Sequence, residues 1–463
     1  YILSEAHRGD LAGFYIRETE LADDDRGWWS LRHEWWIAPQ LSFKADVNGV
    51  SDDDVFREYT DRLHARSLQR AESSVFVTRT WEQWNLTANM FWYQDLTASR
   101  PVELYRLPDI RWQGLPQPMP GVPGLLYEVE ASAVNFVRDV GSEGMRLDLH
   151  PRLSRPISGA GVTVTPFVGG RLTGYDKTVT GTRLTRAGAL TVEETGDEVR
   201  LRRLVEAGTD VESRATRVYA MGGFWNMDAV LHSVEPRVNY TFITGQDLDR
   251  LPQWSEDVDG IPKTSLVTYA LTNRVHARTL AAAGAEPLRW EFVRFTVAHS
   301  YNLRDEARPF GDLTGDLIVN PGRIFAFRAD AAWDVHDDGL QRATTDLSVN
   351  VPRVTATVGT RFERQVSDFL QGSLETEVTR NLVARVSTNW DLQTDTFVEN
   401  RLAVDLRFQC WAFTVEYVAR HQDENAIYFT VNLLGVGAPL TTSAGLGGAG
   451  TSRGTVGGTG SPR

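Results

Sequence analysis

The segment from 401 to 433 constrains the fold most, because three successive stretches alternate apolar with polar side chains. In the first stretch, the apolar set Leu402, Val404, Leu406 and Phe408 alternates with Arg401, Ala403, Asp405, Arg407 and Gln409. The second stretch sets Trp411, Phe413, Val415, Tyr417 and Ala419 against Ala412, Thr414 and Glu416, and the third sets Ile427, Phe429, Val431 and Leu433 against Tyr428, Thr430 and Asn432. Period two is typical of β-strands that present one apolar and one polar face.

The same alternation recurs along the chain, and no stretch has a convincing helical period. It returns at 86–92, 145–149, 293–297, 325–333 and 382–390. A soluble β-sandwich also alternates in this way. However, a soluble all-β chain of 463 residues would be divided by linkers, and no Pro-, Gly- or Ser-rich linker precedes residue 437. The pattern therefore favours an all-β fold built as one large antiparallel transmembrane β-barrel of the outer-membrane type.

Composition excludes two other classes. No apolar run approaches the roughly eighteen residues of a membrane-spanning helix. The formal net charge of -13 argues against nucleic acid as a partner, since phosphate binding needs a basic surface.

Aromatic residues are concentrated near the start of the chain. Eight of the fourteen Trp precede residue 113, in clusters such as Trp28-Trp29, Trp35-Trp36 and Trp81 with Trp84. Such clusters at strand ends favour a girdle at the membrane interface. Core packing and a carbohydrate-stacking platform remain alternatives.

Turn residues divide the connections into two kinds. The segment Thr379-Arg380-Asn381 predicts a short periplasmic turn, whereas Pro116 to Pro123 and Gln246 to Pro262 predict long loops outside regular strands. The Gly-, Thr- and Ser-rich segment 437–463 is expected to be a disordered tail, which leaves 1–436 as the barrel domain.

Several motifs resemble, in order, those of the LptD family of lipopolysaccharide-assembly outer-membrane proteins. They are Asn48-Gly49-Val50-Ser51-Asp52 followed by Phe56 and Tyr59, Leu107-Pro108, Val134-Asn135-Phe136, Arg146-Leu147-Asp148-Leu149-His150-Pro151, Thr173-Gly174-Tyr175, Val234-Glu235-Pro236-Arg237-Val238-Asn239-Tyr240, and Cys410-Trp411 with Tyr417. The resemblance covers about residues 1 to 436.

The resemblance implies a protein of the bacterial outer membrane that transports lipopolysaccharide into the outer leaflet through a laterally opening barrel. It also implies two protein partners, an LptE-like lipoprotein that plugs the barrel and a periplasmic LptA-like bridge. No cofactor and no catalytic residue is implied. A passive porin-type channel is the alternative from another class, and an outer-membrane enzyme is a third.

The chain begins at Tyr1 in a segment that resembles the inside of the family's barrel. An N-terminal jelly roll, which would contact the bridge, and roughly the first three strands are therefore expected to be missing, so that the barrel is incomplete. The resemblance makes the last strand one wall of the lateral gate: Ala426, Ile427, Tyr428, Phe429, Thr430, Val431, Asn432 and Leu433. It also makes Cys410, the single cysteine, a candidate for a disulfide to the missing domain; a small apolar residue at a strand end is the equal alternative.

Two acidic groups invite a metal interpretation. They are Asp52-Asp53-Asp54 and the set Asp247, Asp249, Glu256, Asp257 and Asp259. Neither has the spacing of a calcium-binding EF-hand, so solvated acidic loops are favoured over cation sites. The nine His show no zinc-binding spacing, and no Ser and His are arranged for catalysis. The sequence therefore predicts neither a metal centre nor an enzyme.

Overall fold

The computed structural model describes fourteen ranges of the chain. They are 1–18, 24–59, 68–97, 102–138, 140–184, 191–245, 250–279, 286–322, 324–336, 339–409, 411–421, 425–433, 440–447 and 452–455. Most of the described residues are β-strand, as the alternation predicts, and helix is limited to Val55–Tyr59 and Phe224–Asn226. No helix among them is long and apolar enough to span a membrane.

The elements in the first part of the chain are long strands with one short helix. They are β1 (Ile2–Ser4), β2 (His7–Glu18), β3 (Asp24–Ala38), β4 (Leu41–Val50), α1 (Val55–Tyr59), β5 (Arg70–Trp81), β6 (Trp84–Asp95), β7 (Tyr105–Gly114), β8 (Gln117–Pro118), β9 (Leu126–Val137), β10 (Gly144–Ser154), β11 (Ile157–Gly159), β12 (Val162–Tyr175), β13 (Thr178–Leu184), β14 (Thr191–Gly196) and β15 (Arg200–Ser213).

The later elements continue this pattern, with one 3-10 helix at Phe224–Asn226. They are β16 (Ala215–Ala220), β17 (Met227–Gly245), β18 (Thr264–Thr279), β19 (Arg289–Asn302), β20 (Leu313–Val319), β21 (Phe325–Asp334), β22 (Gly339–Val351), β23 (Val354–Glu363), β24 (Ser367–Thr379), β25 (Leu382–Asp391), β26 (Thr396–Arg407), β27 (Trp411–Arg420), β28 (Ala426–Leu433), β29 (Leu440–Gly447) and β30 (Ser452–Thr455).

The chain divides into two compact units. Unit 1 comprises 1–156, 165–209 and 241–264, and unit 2 comprises 157–164, 210–240 and 265–463. In unit 1, β2 to β7 pair antiparallel in chain order, followed by β7 with β9, β9 with β10 and β10 with β12. In unit 2, β18 to β30 pair antiparallel, each strand with the next.

Connections in unit 1 differ in length between the two edges of its sheet. The turns at 5–6, 39–40 and 82–83 are short, whereas the intervening connections 51–69 and 96–104 are long. Because successive connections of an antiparallel meander lie on alternate edges, the long ones share one edge. The connection 138–143, the hairpin β13–β14 and the connection from β17 to β18 fall on this same edge.

The two faces of the strands have opposite exposure. On β10, Met145, Leu147 and Leu149 are 40 to 54% exposed, whereas Arg146 and Asp148 between them are buried. On β26, Leu402 and Leu406 are exposed and Asp405 is buried. We call these the apolar face and the polar face. This is the reverse of a water-soluble protein, and it suits a sheet whose apolar face meets lipid.

The predicted turns and loops can be compared with the strands directly. The turn at 379–381 is short, as predicted, since β24 ends at Thr379 and β25 begins at Leu382. The described part of 246–262 contains no strand. The segment 116–123 differs slightly from the prediction, because Gln117 and Pro118 pair with the first two residues of β9.

The structure describes two short segments within 437–463, and the disorder of this tail stays a prediction. Leu440–Gly447 pairs with β28, and Ser452–Thr455 pairs with β29. Paired backbone satisfies its hydrogen bonds without needing apolar side chains, which explains how a Gly- and Thr-rich segment extends the sheet. The domain boundary at 436 stays a prediction.

Candidate functional site

The connection from β17 to β18 folds onto the polar face of unit 1 and is held there by one carboxylate. Asp259 is fully buried. One of its oxygens accepts hydrogen bonds from Nη1 of Arg146 at 2.7 Å and from the backbone N–H groups of Trp254 and Ser255 at 3.0 and 2.9 Å. The other accepts the Tyr175 hydroxyl at 2.7 Å. A buried carboxylate needs such complete pairing to remain charged.

Two buried arginines fix the connection to different strands. Arg146 on β10 also donates to the hydroxyl of Ser255 at 2.7 Å, and its guanidinium lies 5.0 Å from the ring centre of Phe136. Arg202 on β15 donates to the carbonyl oxygens of Val258 and Asp259 at 2.6 and 3.1 Å. The chain at 254–259 is thus attached through both side chain and backbone.

An apolar contact accompanies the polar one. The ring of Trp254 stacks on Phe136 with centroids 4.8 Å apart, and it lies 6.0 Å from the ring of Tyr175. Together with Val134 and Leu251 these rings form the buried apolar cluster of unit 1. Aromatic burial of this kind contributes several kcal/mol, on the order of 3 to 5 for a Trp, so the connection is packed as well as hydrogen-bonded.

Three connections on the same edge interlock at this point. The indole N–H of Trp254 donates to the carbonyl oxygen of Ser142 at 3.0 Å, and the Ser142 hydroxyl donates to Glu193 of β14 at 2.5 Å. The N–H of Val179 on β13 donates to the carbonyl oxygen of Arg250 at 2.9 Å. We call the described residues of 138–143, 178–184, 191–196 and 250–262, without residue 139, the cap of unit 1.

The cap carries acidic groups whose charge is stabilised by neighbouring donors. Burial acts to raise the pKa of Asp257, but a hydrogen bond with Ser255 and the guanidinium groups of Arg146 and Arg111 bring it below the usual value. Asp257 is exposed, in contrast to Asp259 two residues later. Of these two carboxylates, Asp259 is therefore the one that attaches the connection to the strands.

The prediction of a solvated acidic loop is wrong for Asp259. Its carboxylate is buried and accepts hydrogen bonds from Arg146, Tyr175 and the backbone N–H groups of Trp254 and Ser255. Asp247 and Asp249 lie outside the described residues. Within the described ranges, no group of three or more His, Cys, Asp or Glu side chains is placed to hold a metal ion.

Several of the sequence motifs converge at the cap. Phe136, Arg146 and Tyr175 come from three separate motifs and contact the same connection. Asp148, in the same motif as Arg146, accepts hydrogen bonds from Arg171 at 3.0 Å and from Thr173 at 2.7 Å. Arg202 and Trp254 were not among the predicted residues. For Trp254, the signal in the sequence was a Trp within a connection rich in Asp and Glu.

The motif Asn48-Gly49-Val50-Ser51-Asp52 lies where β4 ends on the long-connection edge. The Asn48 amide donates to the carbonyl oxygen of Glu72 on β5 at 2.7 Å, and the Ser51 hydroxyl accepts the N–H of Gly27 on β3 at 2.9 Å. Asp52 accepts two hydrogen bonds from the Arg26 guanidinium, at 2.6 and 3.0 Å. The motif thus ties the start of a long connection to both neighbouring strands.

The aromatic clusters lie near strand ends. Trp35 and Trp36 approach the turn at 39–40, and both are more than 40% exposed. Trp84 follows the turn at 82–83 and stacks on Trp112 with centroids 4.6 Å apart. This placement agrees with the positions that an interfacial girdle requires.

The predicted gate strand and cysteine are only partly described. Ala426 to Leu433 form β28, which pairs with β27 on one side and β29 on the other. Its role as a gate stays a prediction. Cys410 lies outside the described residues.

Comparison with known sequences identifies the family. The family model described as LptD, LPS transport system D, matches residues 24–369. The chain belongs to the LptD family. Relatives include the LPS-assembly protein LptD of Thiobacillus denitrificans, which is 25% identical over 94% of this chain and 61% of its own length. The LPS-assembly protein LptD of Cupriavidus necator is 22% identical over 90% and 54%, and that of Aromatoleum aromaticum is 26% identical over 80% and 47%.

The LptD match therefore spans only part of each relative, between 47 and 61% of the length of these three proteins. Among solved structures, a ferric enterobactin receptor mutant of Pseudomonas aeruginosa matches 96% of this chain and 75% of its own, with 8% identity and a TM-score of 0.36. A likeness that distant supports no conclusion. The LptD assignment rests on sequence, and residues 24–369 include the whole cap.

Proposed function

We propose that this chain transports lipopolysaccharide into the outer leaflet of the bacterial outer membrane. The observation that carries the proposal is the match of the LptD family model over 24–369, a region whose strands expose an apolar face and bury a polar one. The apolar face contacts the bilayer. The polar face lines the barrel and provides an aqueous route.

The physical demands of the cargo fit these two faces. An amphiphile cannot cross a plain aqueous pore, because its acyl chains lose favourable burial there, and it cannot cross a purely apolar route, because its sugars lose their hydrogen bonds. A polar wall that opens sideways to lipid satisfies both parts of the molecule. No covalent step is needed, so the proposal is a transporter and not an enzyme.

The cap is the element that regulates access to the polar face. It covers the wall formed by β9, β10 and β12 and is held by the buried pair Arg146–Asp259. A closed cap prevents leakage of small solutes, and its movement clears the way for sugars. A hydrogen-bonded attachment point is suited to this task, since its bonds can be exchanged for bonds with water or cargo.

Partners follow from the family. An LptE-like lipoprotein plugs the barrel, and a periplasmic LptA-like bridge delivers the lipid through an N-terminal domain. The lateral opening uses β28 (Ala426–Leu433) as one wall, and Cys410 forms a disulfide to the N-terminal domain. Cross-linking from β28 tests the lateral opening, and cross-linking from Cys410 tests the disulfide.

Depletion in the native cell tests the function. Cells that lose the full-length protein should lose lipopolysaccharide from their surface, measured by labelling intact cells with a membrane-impermeant reagent for its sugars. Re-expression of the wild-type protein should restore the signal. Unchanged surface lipopolysaccharide after depletion would refute the proposal, whatever the amount of total lipopolysaccharide.

A further inference from the structure

A groove runs along the polar face of β4, β5 and β6 in unit 1, away from the cap. Its volume is about 500 Å³, and its lining includes Asp46, Glu72, Phe76, Thr78, Asn89 and Phe91. All six lie on the polar parity of their strands, while Val77 and Met90 beside them are exposed on the apolar face. The groove is thus part of the polar wall.

The groove combines aromatic rings with hydrogen-bonding side chains. Phe76 is paired with Asn89 across β5 and β6, and Ser74 is paired with Phe91. The hydroxyls of Thr78 and Thr87 are 3.2 Å apart beside them. A pyranose ring has an apolar C–H face and a rim of hydroxyls, so it is complemented by this mixture rather than by an apolar pocket.

An irregularity in the sheet shapes one end of the groove. The register between β6 and β7 shifts between Asn89 and Phe91, as at a β-bulge. The shifted strand places the guanidinium of Arg106 4.6 Å from the ring centre of Phe91. Arg106 also lies 3.4 Å from Asp109. The guanidinium of Arg106 therefore packs over one face of the Phe91 ring.

Asn89 supplies the polar atom that lacks a partner. Its side-chain oxygen is buried and accepts no hydrogen bond from any described residue. A buried acceptor without a donor costs about 1 to 3 kcal/mol. A ligand hydroxyl in the groove would donate to this oxygen and remove the cost.

The charges of the groove select against phosphate. Its charged lining residues, Asp46 and Glu72, are both acidic. Asp46 lies 3.3 Å from Arg32, and the carboxylate of Glu72 makes no ion pair with a described residue. The carboxylate of Glu72 would repel an anionic group, because the nearby cations Arg32 and Arg106 are already paired with Asp46 and Asp109. Neutral hydroxyls can donate to the carboxylates.

We propose that this groove binds uncharged sugar residues of the transported glycolipid and excludes its phosphorylated part. The inference rests on the proposed function and assigns β4 to β6 as the wall along which the saccharide passes. The aromatic rings bind the sugar faces, and Asn89 with the two carboxylates binds the hydroxyls.

Photo-cross-linking in cells tests the assignment. Benzoylphenylalanine replaces Phe76 or Phe91 in the full-length protein, and Gln40 or Gln83, in the exposed turns at the ends of the same strands, serves as the matched control. After irradiation, adducts are detected with an antibody to the lipopolysaccharide sugars. The two groove positions should yield an adduct at least tenfold above the two control positions. Thr78 provides a third groove position should either Phe variant fail to fold.

Truncation of the cargo separates the sources of a signal. In a strain whose lipopolysaccharide keeps only the phosphorylated inner part, adducts at the groove positions, detected by a lipid A stain, should fall at least tenfold. Equal adduct yields in that strain would overturn the proposal, as would adducts to a protein in place of sugar. If adducts are absent while depletion still removes surface lipopolysaccharide, the groove assignment fails and the transport proposal stands.

Discussion

The carboxylate of Asp259 lies 2.7 Å from Nη1 of Arg146, although 113 residues separate them in the chain. Both side chains are almost completely buried, at 0% and 2% exposure. The pair joins the connection between β17 and β18 to the polar face near the start of β10. Since each charge is buried only because the other is present, the attachment depends on both.

Replacing Asp259 by Asn should release the 250–262 segment of the cap. The change leaves Arg146 buried without its counter-charge, which costs about 3 to 5 kcal/mol. Labelling of Val258→Cys, corrected for the labelling of the parent protein, reports the release, because Val258 is buried in the closed cap. We expect its reaction with a membrane-impermeant maleimide to become at least tenfold faster in the Asp259→Asn variant.

Two controls accompany this measurement. Asp257→Asn removes a neighbouring carboxylate that is exposed, and it should leave the reaction rate within twofold. Gln253→Cys, which is exposed in the closed cap, should react equally fast in both backgrounds. Slow labelling of Val258→Cys in Asp259→Asn would show that Asp259 does not hold the connection.

Removing both members of the pair should cost less than the sum of the single changes. In Arg146→Met with Asp259→Asn, no buried charge is left unpaired. A double-mutant cycle on thermal unfolding, followed by the loss of the compact band in gels, should give a coupling free energy of about 1 to 3 kcal/mol. Arg32→Met with Asp259→Asn is the control pair, and it should be additive. Additivity of the Arg146 pair would contradict the relationship.

Trp254 should contribute mainly through packing. Trp254→Ala removes the stack on Phe136 and should lower stability by about 3 to 5 kcal/mol. Trp254→Phe keeps an aromatic ring but loses the N–H donated to Ser142, which should cost about 1 kcal/mol. Equal effects of the two variants, measured by the temperature of unfolding, would assign the contribution to the hydrogen bond.

The Arg26–Asp52 pair predicts a pH dependence at the start of the connection 51–69. Its hydrogen bonds with Arg26 lower the pKa of Asp52 to about 2. A lowered pKa means that its contribution to stability is complete above the unfolded-state value of about 4 and is lost as pH falls towards about 2. Between these limits, Asp52→Asn should unfold with a shallower pH dependence than the wild type.

Asp53→Asn is the control for this titration. Asp53 is an exposed neighbour, so the same change there controls for the loss of one carboxylate from the connection. Identical slopes for wild type and Asp52→Asn would show that Arg26 does not hold the carboxylate in its charged form.

The sequence by itself determined the strands and their faces. Leu402 and Asp405 are assigned to opposite faces by parity alone, because successive side chains of any extended backbone point to opposite sides. The turn at 379–381 was equally predictable, since only its local residues decide where two strands meet. The family motifs then indicated that the apolar face meets lipid.

Tertiary structure alone decided the environment of the long connections. Nothing near Asp259 in the chain distinguishes it from Asp257, yet one carboxylate is buried against Arg146 and Tyr175 and the other is exposed. A connection without regular structure has no periodicity to report which side chains turn inward. Its contacts are set by strands more than fifty residues away, and only their positions in the folded sheet make Asp259 an attachment point.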